Sequence, residues 1–245
     1  MACHEFGPGR LAEPPAILAV IEAFFAGGAL LAGRHVLVTA GPTQEPIDAV
    51  RVLANRSSGR QGFAIAAAFS ALGARVTLVH GPVALPVPAG VDARPVETAA
   101  EMLAACERAL PADAAVFAAA VADWRMAQPG AGKLKKAAGP PLLDLVPTVD
   151  VLATLSRPGP MRPGLTVGFA AETEDVVAQA RAKRLRKGCD WIVANDVRPE
   201  TGIMGGERNQ VHVIDAEGEE HWPDLPKAEV ARRLAARLAA ALQPL

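Results

Sequence analysis

Tyrosine is missing from all 245 residues. That omission alone excludes the short-chain dehydrogenases, whose catalysis needs a tyrosine paired with a lysine. Cysteine is scarce: Cys3, Cys106 and Cys189 are widely spaced, odd in number and form no C-x-x-C pair. Neither a disulfide framework nor a thiolate metal site is expected, and a reducing, cytoplasmic setting fits. The five histidines have no H-x-x-x-H or H-E-x-x-H spacing, which argues against a structural zinc site. No apolar run reaches the roughly eighteen to twenty residues of a membrane span. The nearest, 16–31, is interrupted by Glu22 and by Gly27-Gly28, so no membrane partner is expected. The first residues lack the basic and apolar regions of a signal peptide. Charge of one sign is not in excess either. A net charge of −1 leaves no footprint for nucleic acid at the level of the whole chain.

What remains is a globular composition, 51% hydrophobic and 21% charged, long enough for one substantial core with a small appended subdomain. Apolar, β-branched or small-residue runs at 35–40, 75–80, 91–96, 114–120, 166–170 and 190–194 read as strands. Helical spacing fills 15–25, 63–72, 98–110, 149–155, a stretch from Glu172-Thr173 to about Lys187, and 227–242. Pro147-Thr148 is expected to cap the fourth of these. Runs 211–214 and 219–222 suggest a closing antiparallel hairpin around Glu217-Gly218, and 142–146 an extended segment outside the main sheet. Strands alternating with helices predict an α/β fold, a doubly wound, mostly parallel Rossmann-like sheet with a small antiparallel extension.

The most informative stretch is GPTQEPIDAVRVLANRSSGRQGF, 41–63, between the first strand and its helix. About twenty residues stand where a few are usual, and so long a connection in a compact domain is generally functional. Its end supplies Ser57, Ser58, Gly59 and Arg60 at a helix start, where serine can cap and glycine lets an anion approach the backbone. The strict G-x-G-x-x-G fingerprint is absent, because Gly41, Gly59 and Gly62 are too far apart. Arg51 and Asn55 are four residues apart, so a helical turn there would put both on one face. Polar groups also follow the other strands: Asp123 to Lys136, Phe169 to Thr173, and Asn195. In a parallel sheet those ends share one edge, where ligands bind.

Together, VTAGPTQEPIDAVRVLANRSSGRQGFAIA, AAVADWR followed by KLKK, VGFAAET and KGCDWIVANDV resemble phosphopantothenoylcysteine synthetase, the second activity of a bacterial bifunctional coenzyme A biosynthesis protein. The resemblance runs from about residue 31 to the C-terminus. A second one covers 1–14, which looks like the substrate clamp ending the partner decarboxylase domain, with Cys3 at the place of its proton donor. The rest of that FMN-dependent domain is not in the chain. The expectation is therefore a piece of a bifunctional protein: 1–30 as decarboxylase end plus linker, 31–245 as the ligase domain, Cys3 vestigial and decarboxylation absent.

The resemblance implies a carbon–nitrogen ligase using CTP, Mg²⁺, 4′-phosphopantothenate and L-cysteine, and a homodimer. The carboxylate is activated as an acyl-cytidylate with loss of pyrophosphate, and the cysteine amine then displaces CMP. Asn55 would donate to the acyl oxygen, Arg51 would serve the second half-reaction, and Lys133 would neutralise the triphosphate. The backbone of Phe117, Ala118 and Ala119 would read cytosine, with Phe169 packed beside the nucleotide. Asp123 would hold Mg²⁺ or bind the ribose. The helix start Val149, Asp150, Val151 and Leu152 would meet phosphate through backbone N–H groups, with Lys183 and Lys187 as cationic contacts. Gly41, Ser57, Ser58 and Gly59 would cradle phosphate, with Ala120 and Asn195 in the pocket. Preference for CTP over ATP rests on the resemblance alone. An NAD(P)-binding oxidoreductase and a non-catalytic nucleotide-binding module are the rivals.

Overall fold

In the computed structural model, which describes residue 14 and residues 30–135 and 142–243, the run HVLVTA forms a fully buried strand, β1 (His35–Ala40). Its side chains alternate between two helical layers, as the two-residue period of a strand requires. Val36, Val38 and Ala40 enter one apolar cluster, whereas Leu37 enters another on the opposite face. A strand covered on both faces has no solvent side to show, hence its mostly apolar sequence, with the buried His35 and Thr39 both hydrogen-bonded.

The connection after β1 is not an irregular loop. It holds a ribbon of β2 (Gln44–Pro46) and β3 (Val52–Ala54), paired antiparallel. The expected helical turn between Arg51 and Asn55 is therefore not formed, because β3 occupies that interval. Next come α1 (Arg60–Ala71), β4 (Arg75–His80), β5 (Val91–Pro95), α2 (Ala99–Glu107) and β6 (Ala114–Phe117). A second ribbon pairs β7 (Trp124–Met126) with β8 (Leu145–Pro147), placing the extended segment outside the main sheet. The chain closes with α3 (Val151–Leu155), β9 (Leu165–Glu172), α4 (Val176–Lys187), β10 (Trp191–Asp196), β11 (Arg208–Ile214), β12 (Glu219–Pro226) and α5 (Lys227–Ala241).

The main sheet has eight strands in the order β12-β11-β10-β9-β6-β1-β4-β5. The six from β10 to β5 are parallel, and β11 and β12 add antiparallel at one edge. The α/β, mostly parallel expectation holds. Helices α1 and α5 cover one face with Phe69, Ile65, Leu234 and Leu238. Met102 and Cys106 of α2, Val151 and Leu155 of α3, and Ala180 of α4 lie in clusters on the other. Full burial of each large apolar side chain contributes about 1.5–3 kcal/mol. No described helix is long and apolar enough to cross a membrane.

Two element starts differ from expectation. The helix before Ser156 begins at Val151 and is capped by Asp150, whose carboxylate accepts from the Ala153 amide at 2.9 Å. Thr148 instead donates its hydroxyl to the carbonyl of Ala122. β9 also runs through Glu172, and α4 begins only at Val176, so Glu172-Thr173 does not start the helix. The expected helix 15–25 and the reading of Cys3 lie outside the described residues, as does Lys136.

Two buried groups are structural. His35 Nδ1 donates to Pro111 O at 2.9 Å and Nε2 accepts from the Thr77 hydroxyl at 3.0 Å. Burial holds this ring neutral by lowering its pKa. Burial pushes the Cys106 thiol up to about 12, so it is not a nucleophile at neutral pH.

Candidate functional site

The sheet order reverses direction about β1 and β6, with β4 and β5 to one side and β9 and β10 to the other. A crevice opens at the carboxyl ends of strands around such a reversal. Here it is a cleft of about 850 Å³ that reaches from the segment before α1, past the ends of β6, β9 and β10, to the start of α3.

Most of the sequence-predicted residues line it: Asn55, Ser57, Ser58, Gly59, Phe117, Ala118, Ala119, Ala120, Asp123, Val149, Asp150, Val151, Leu152, Phe169, Lys183, Lys187 and Asn195. Gly41, Arg51 and Lys133 do not. Gly41 turns the chain at the end of β1 with φ 73°, and its carbonyl accepts from the Ala120 amide at 2.9 Å. Arg51 is held away by Asp48 at 2.6 Å. Lys133 precedes Leu134, whose amide donates to that same carboxylate at 3.0 Å.

The wall formed by α1 is an exposed helix terminus. No side chain caps it, contrary to the expected serine cap, and Ser57 Oγ accepts instead from the Gly59 amide at 3.3 Å. Gly59 supplies the left-handed turn at φ 73°. Gly62 brings the helix against β1 so closely that a Cβ there would lie 2.5 Å from the Ala40 Cβ. Unpaired first-turn amides directed at a cleft favour an anion.

The opposite wall is cationic but internally balanced. Lys187 pairs with Asp150, and Lys183 lies 4.0 Å from Glu172. Burial lowers the pKa of Lys183, with Glu172 working against that shift. Because Asp150 caps α3 with its own carboxylate, an incoming phosphate competes there with a resident anion. One amide of this second helix start, that of Ala153, is therefore already engaged by a carboxylate.

Between the walls, segment 118–122 is fixed by its amides. Ala118 donates to Thr39 O at 3.1 Å and Ala119 to Thr39 Oγ1 at 3.3 Å. Ala122 donates to Thr43 Oγ1 at 2.9 Å. Asn55 Nδ2 donates to Val121 O at 3.0 Å, tying the end of the first ribbon to this segment.

Sequence reasoning missed Gln61, Asn209, Arg186 and Lys227, all of which line the cleft. Arg186 had a visible signal, its place in the cationic run of α4. Gln61 lies in the informative stretch 41–63, but its partner Asn209 is 148 residues away, and Asn209 and Lys227 carry no local signal. Among the described residues no group of three or more His, Cys, Asp or Glu side chains could hold a metal ion.

Comparison with known proteins gives the family and the fold. The DNA/pantothenate metabolism flavoprotein C-terminal domain family matches residues 31–242. The coenzyme A biosynthesis bifunctional protein CoaBC of Vibrio cholerae is 42% identical over 233 residues, covering 94% of this chain and 58% of that protein. The Escherichia coli K12 protein of the same name is 42% identical over 226 residues, covering 91% and 55%. The chain thus spans little more than half the length of these relatives. Among solved structures, a CoaBC C-terminal domain superposes with TM-score 0.72 at 37% identity, covering 87% of this chain and 97% of that one. A Cab2 H337A mutant in complex with phosphopantothenate-cysteine, 15% identical with TM-score 0.69 over 96% of each chain, shares the fold.

Proposed function

The chain belongs to the DNA/pantothenate metabolism flavoprotein C-terminal domain family, and we propose that it joins 4′-phosphopantothenate to L-cysteine at the expense of CTP. The observation that carries this reading is the convergence of Asn55, the small-residue segment 117–123, an uncapped helix start and two lysines on one cleft. Relatives named for coenzyme A biosynthesis support it.

In the first half-reaction a carboxylate oxygen of 4′-phosphopantothenate attacks the α-phosphorus of CTP, and the bond to pyrophosphate breaks. The α1 terminus and Lys183, Arg186 and Lys187 offset the phosphate charge. With the amides of Ala118 and Ala119 already engaged by Thr39, backbone carbonyls of this segment are left to accept from the amine of cytosine. Asp123 is an exposed carboxylate at the strand end, and one carboxylate plus nucleotide phosphates is a usual set for Mg²⁺, so it would hold the ion there. Bound Mg²⁺ would neutralise phosphate charge.

In the second half-reaction the cysteine amine attacks the acyl carbon, CMP leaves with the bonding pair, and the ammonium loses a proton. Negative charge grows on the acyl oxygen, where the second Asn55 amide proton is available to donate. The same cleft keeps the hydrolysable acyl-cytidylate from bulk water.

Arg51 and Lys133 fit this scheme if the chain works as a homodimer. The two ribbons leave Val50, Val52, Trp124, Leu142 and Leu145 exposed, more apolar surface than an isolated extension should carry. Pairing of those ribbons across a two-fold axis would bring the Arg51–Lys133 unit to the partner's cleft.

The test is pyrophosphate release on mixing the protein with CTP, Mg²⁺ and 4′-phosphopantothenate, then phosphopantothenoylcysteine on adding L-cysteine. Asn55→Ala should lower turnover by about 10²–10³-fold, as loss of an oxyanion donor does, with CTP binding retained. Wild-type turnover in that variant would remove Asn55 from the mechanism, and no pyrophosphate from the parent would remove the reading.

A further inference from the structure

Three side-chain amides run in series along one end of the cleft. Gln61 Nε2 donates to the backbone carbonyl of Lys227 at 3.1 Å. Asn209 Nδ2 donates to Gln61 Oε1 at 3.1 Å. Asn195 Nδ2 donates to Asn209 Oδ1 at 3.1 Å. The orientation of an amide is ordinarily open to exchange of its oxygen and nitrogen. Here it is fixed from one end, because a backbone carbonyl can only accept. Gln61 must therefore present its nitrogen to Lys227 and its oxygen to Asn209. Asn209, 2% exposed, must then present nitrogen to Gln61 and oxygen to Asn195. Asn195 in turn must give its nitrogen to Asn209. Its oxygen receives no hydrogen bond from any described residue, and Asn195 lines the cleft.

The anchor is itself immobilised. Lys227 begins α5, its amide donates to Glu207 O at 2.9 Å, and its ammonium donates to Ile203 O at 3.1 Å and to Gly206 O. The series thus ends on backbone held by a buried lysine, not on a side chain free to turn.

We infer that Gln61 and Asn209 are positioning residues that lock Asn195 with its carbonyl oxygen toward the ligand, so that this end of the cleft selects a hydroxyl donor of the nucleotide sugar and not phosphate. A phosphate oxygen would face a like partial charge there, whereas an O–H donor would complete the series. The ligand part of this inference rests on the nucleotide reading above; the polarity of the amides does not.

Two measurements test it. The first uses the unliganded chain: side-chain amide protons of Asn209 and Gln61 should exchange with solvent at least about tenfold more slowly than those of an exposed amide. Gln61→Met, which removes both of its hydrogen bonds, should release those of Asn209. Rapid exchange in the parent chain would overturn the series, whatever the protein binds. The second compares CTP with 2′-deoxy-CTP and 3′-deoxy-CTP by calorimetry, in the parent chain and in Gln61→Met and Gln61→Glu. One analogue should bind about tenfold more weakly than CTP to the parent. That penalty should shrink to about twofold in both variants, while the gain of CTP over CMP, which reports phosphate, stays unchanged. Whichever analogue behaves so names the donor. Penalties that are equal in parent and variants would overturn the proposal. Absence of CTP binding to a folded parent would reject the nucleotide reading and the donor with it, and leave the exchange result to decide the amide polarity.

Discussion

Asp48 Oδ2 lies 3.0 Å from the amide nitrogen of Leu134, joining the first ribbon to the basic loop that carries Lys133. The same carboxylate accepts from the amides of Val50 and Arg51 at 2.8 Å each and from the Arg51 guanidinium at 2.6 Å. Arg51 closes the ring by donating to Leu134 O at 3.3 Å. Arg51 and the loop that carries Lys133 are thus joined through one buried acid.

Asp48→Asn should therefore act at a distance. The amide would turn one donor toward the Leu134 N–H or the guanidinium, so the unit would loosen while the main sheet stayed intact. Turnover should fall about 10- to 100-fold, as a misplaced reacting or charge-bearing group costs. Burial opposes ionisation of Asp48, but hydrogen bonds from Leu134, Val50 and Arg51, with the Arg51 charge, hold its pKa below the usual value. A lowered carboxylate pKa stabilises above the unfolded value near 3.9 and loses that contribution as pH falls through the folded value. The loop should accordingly become protease-sensitive only in acid below about pH 4, and sensitivity beginning near neutrality would remove Asp48 as its anchor.

Gly62→Ala should damage both stability and binding. Its Cβ would meet Ala40 Cβ at 2.5 Å and the Thr39 carbonyl at 3.1 Å, neither of which can move without distorting β1. Overpacking of this kind costs about 1–3 kcal/mol. A thermal melt should show the loss, and a CTP titration should weaken as the α1 terminus is pushed back. Gly132→Ala, where nothing lies within 4 Å, is the matched control and should leave the melt unchanged.

The parallel sheet was legible because buried strands and amphipathic helices carry strong periodicities, as in HVLVTA and in α5. The cleft was legible where residues sit at strand ends, since topology brings those ends together. Arg51 and Lys133 lie outside the cleft of their own chain, because a ribbon and a tight Asp48 ring decide where that part of the chain sits, and no period records that. The cap of α3 was misassigned because Thr148 and Asp150 are both good caps, and Thr148 is drawn off by the Ala122 carbonyl. Gln61 and Asn209 gave no sign, because a hydrogen bond across 148 residues leaves no local pattern.

If the Arg51–Lys133 unit serves the neighbouring cleft, two inactive proteins should repair one another. Asn55→Ala and Lys133→Ala subunits, mixed and allowed to exchange, would form mixed dimers with one site built entirely from intact parts. Random pairing predicts recovery to about one quarter of parent turnover in a two-fold dimer. No recovery, with subunit exchange verified, would place Lys133 in the cleft of its own chain. Trp124→Glu, on the exposed ribbon, should give monomers in sedimentation and abolish recovery altogether.

The pH dependence of nucleotide binding should report Lys183. Burial lowers its pKa from 10.5, Glu172 counteracts this, and Lys187 and Arg186 lower it further. The free chain therefore binds fewer protons at this site than the unfolded chain does, so its stability rises as pH passes upward through the lowered value. Phosphate reverses the sign, because an anion beside Lys183 favours the ammonium and raises its pKa. CTP should consequently bind with proton uptake and lose affinity as pH climbs through the value of the free chain. Calorimetry in two buffers of different ionisation enthalpy would measure that uptake directly. Lys183→Arg, always charged, should keep CTP affinity flat over the same alkaline range. A parent chain whose affinity is equally flat there would mean that Lys183 does not face the phosphates.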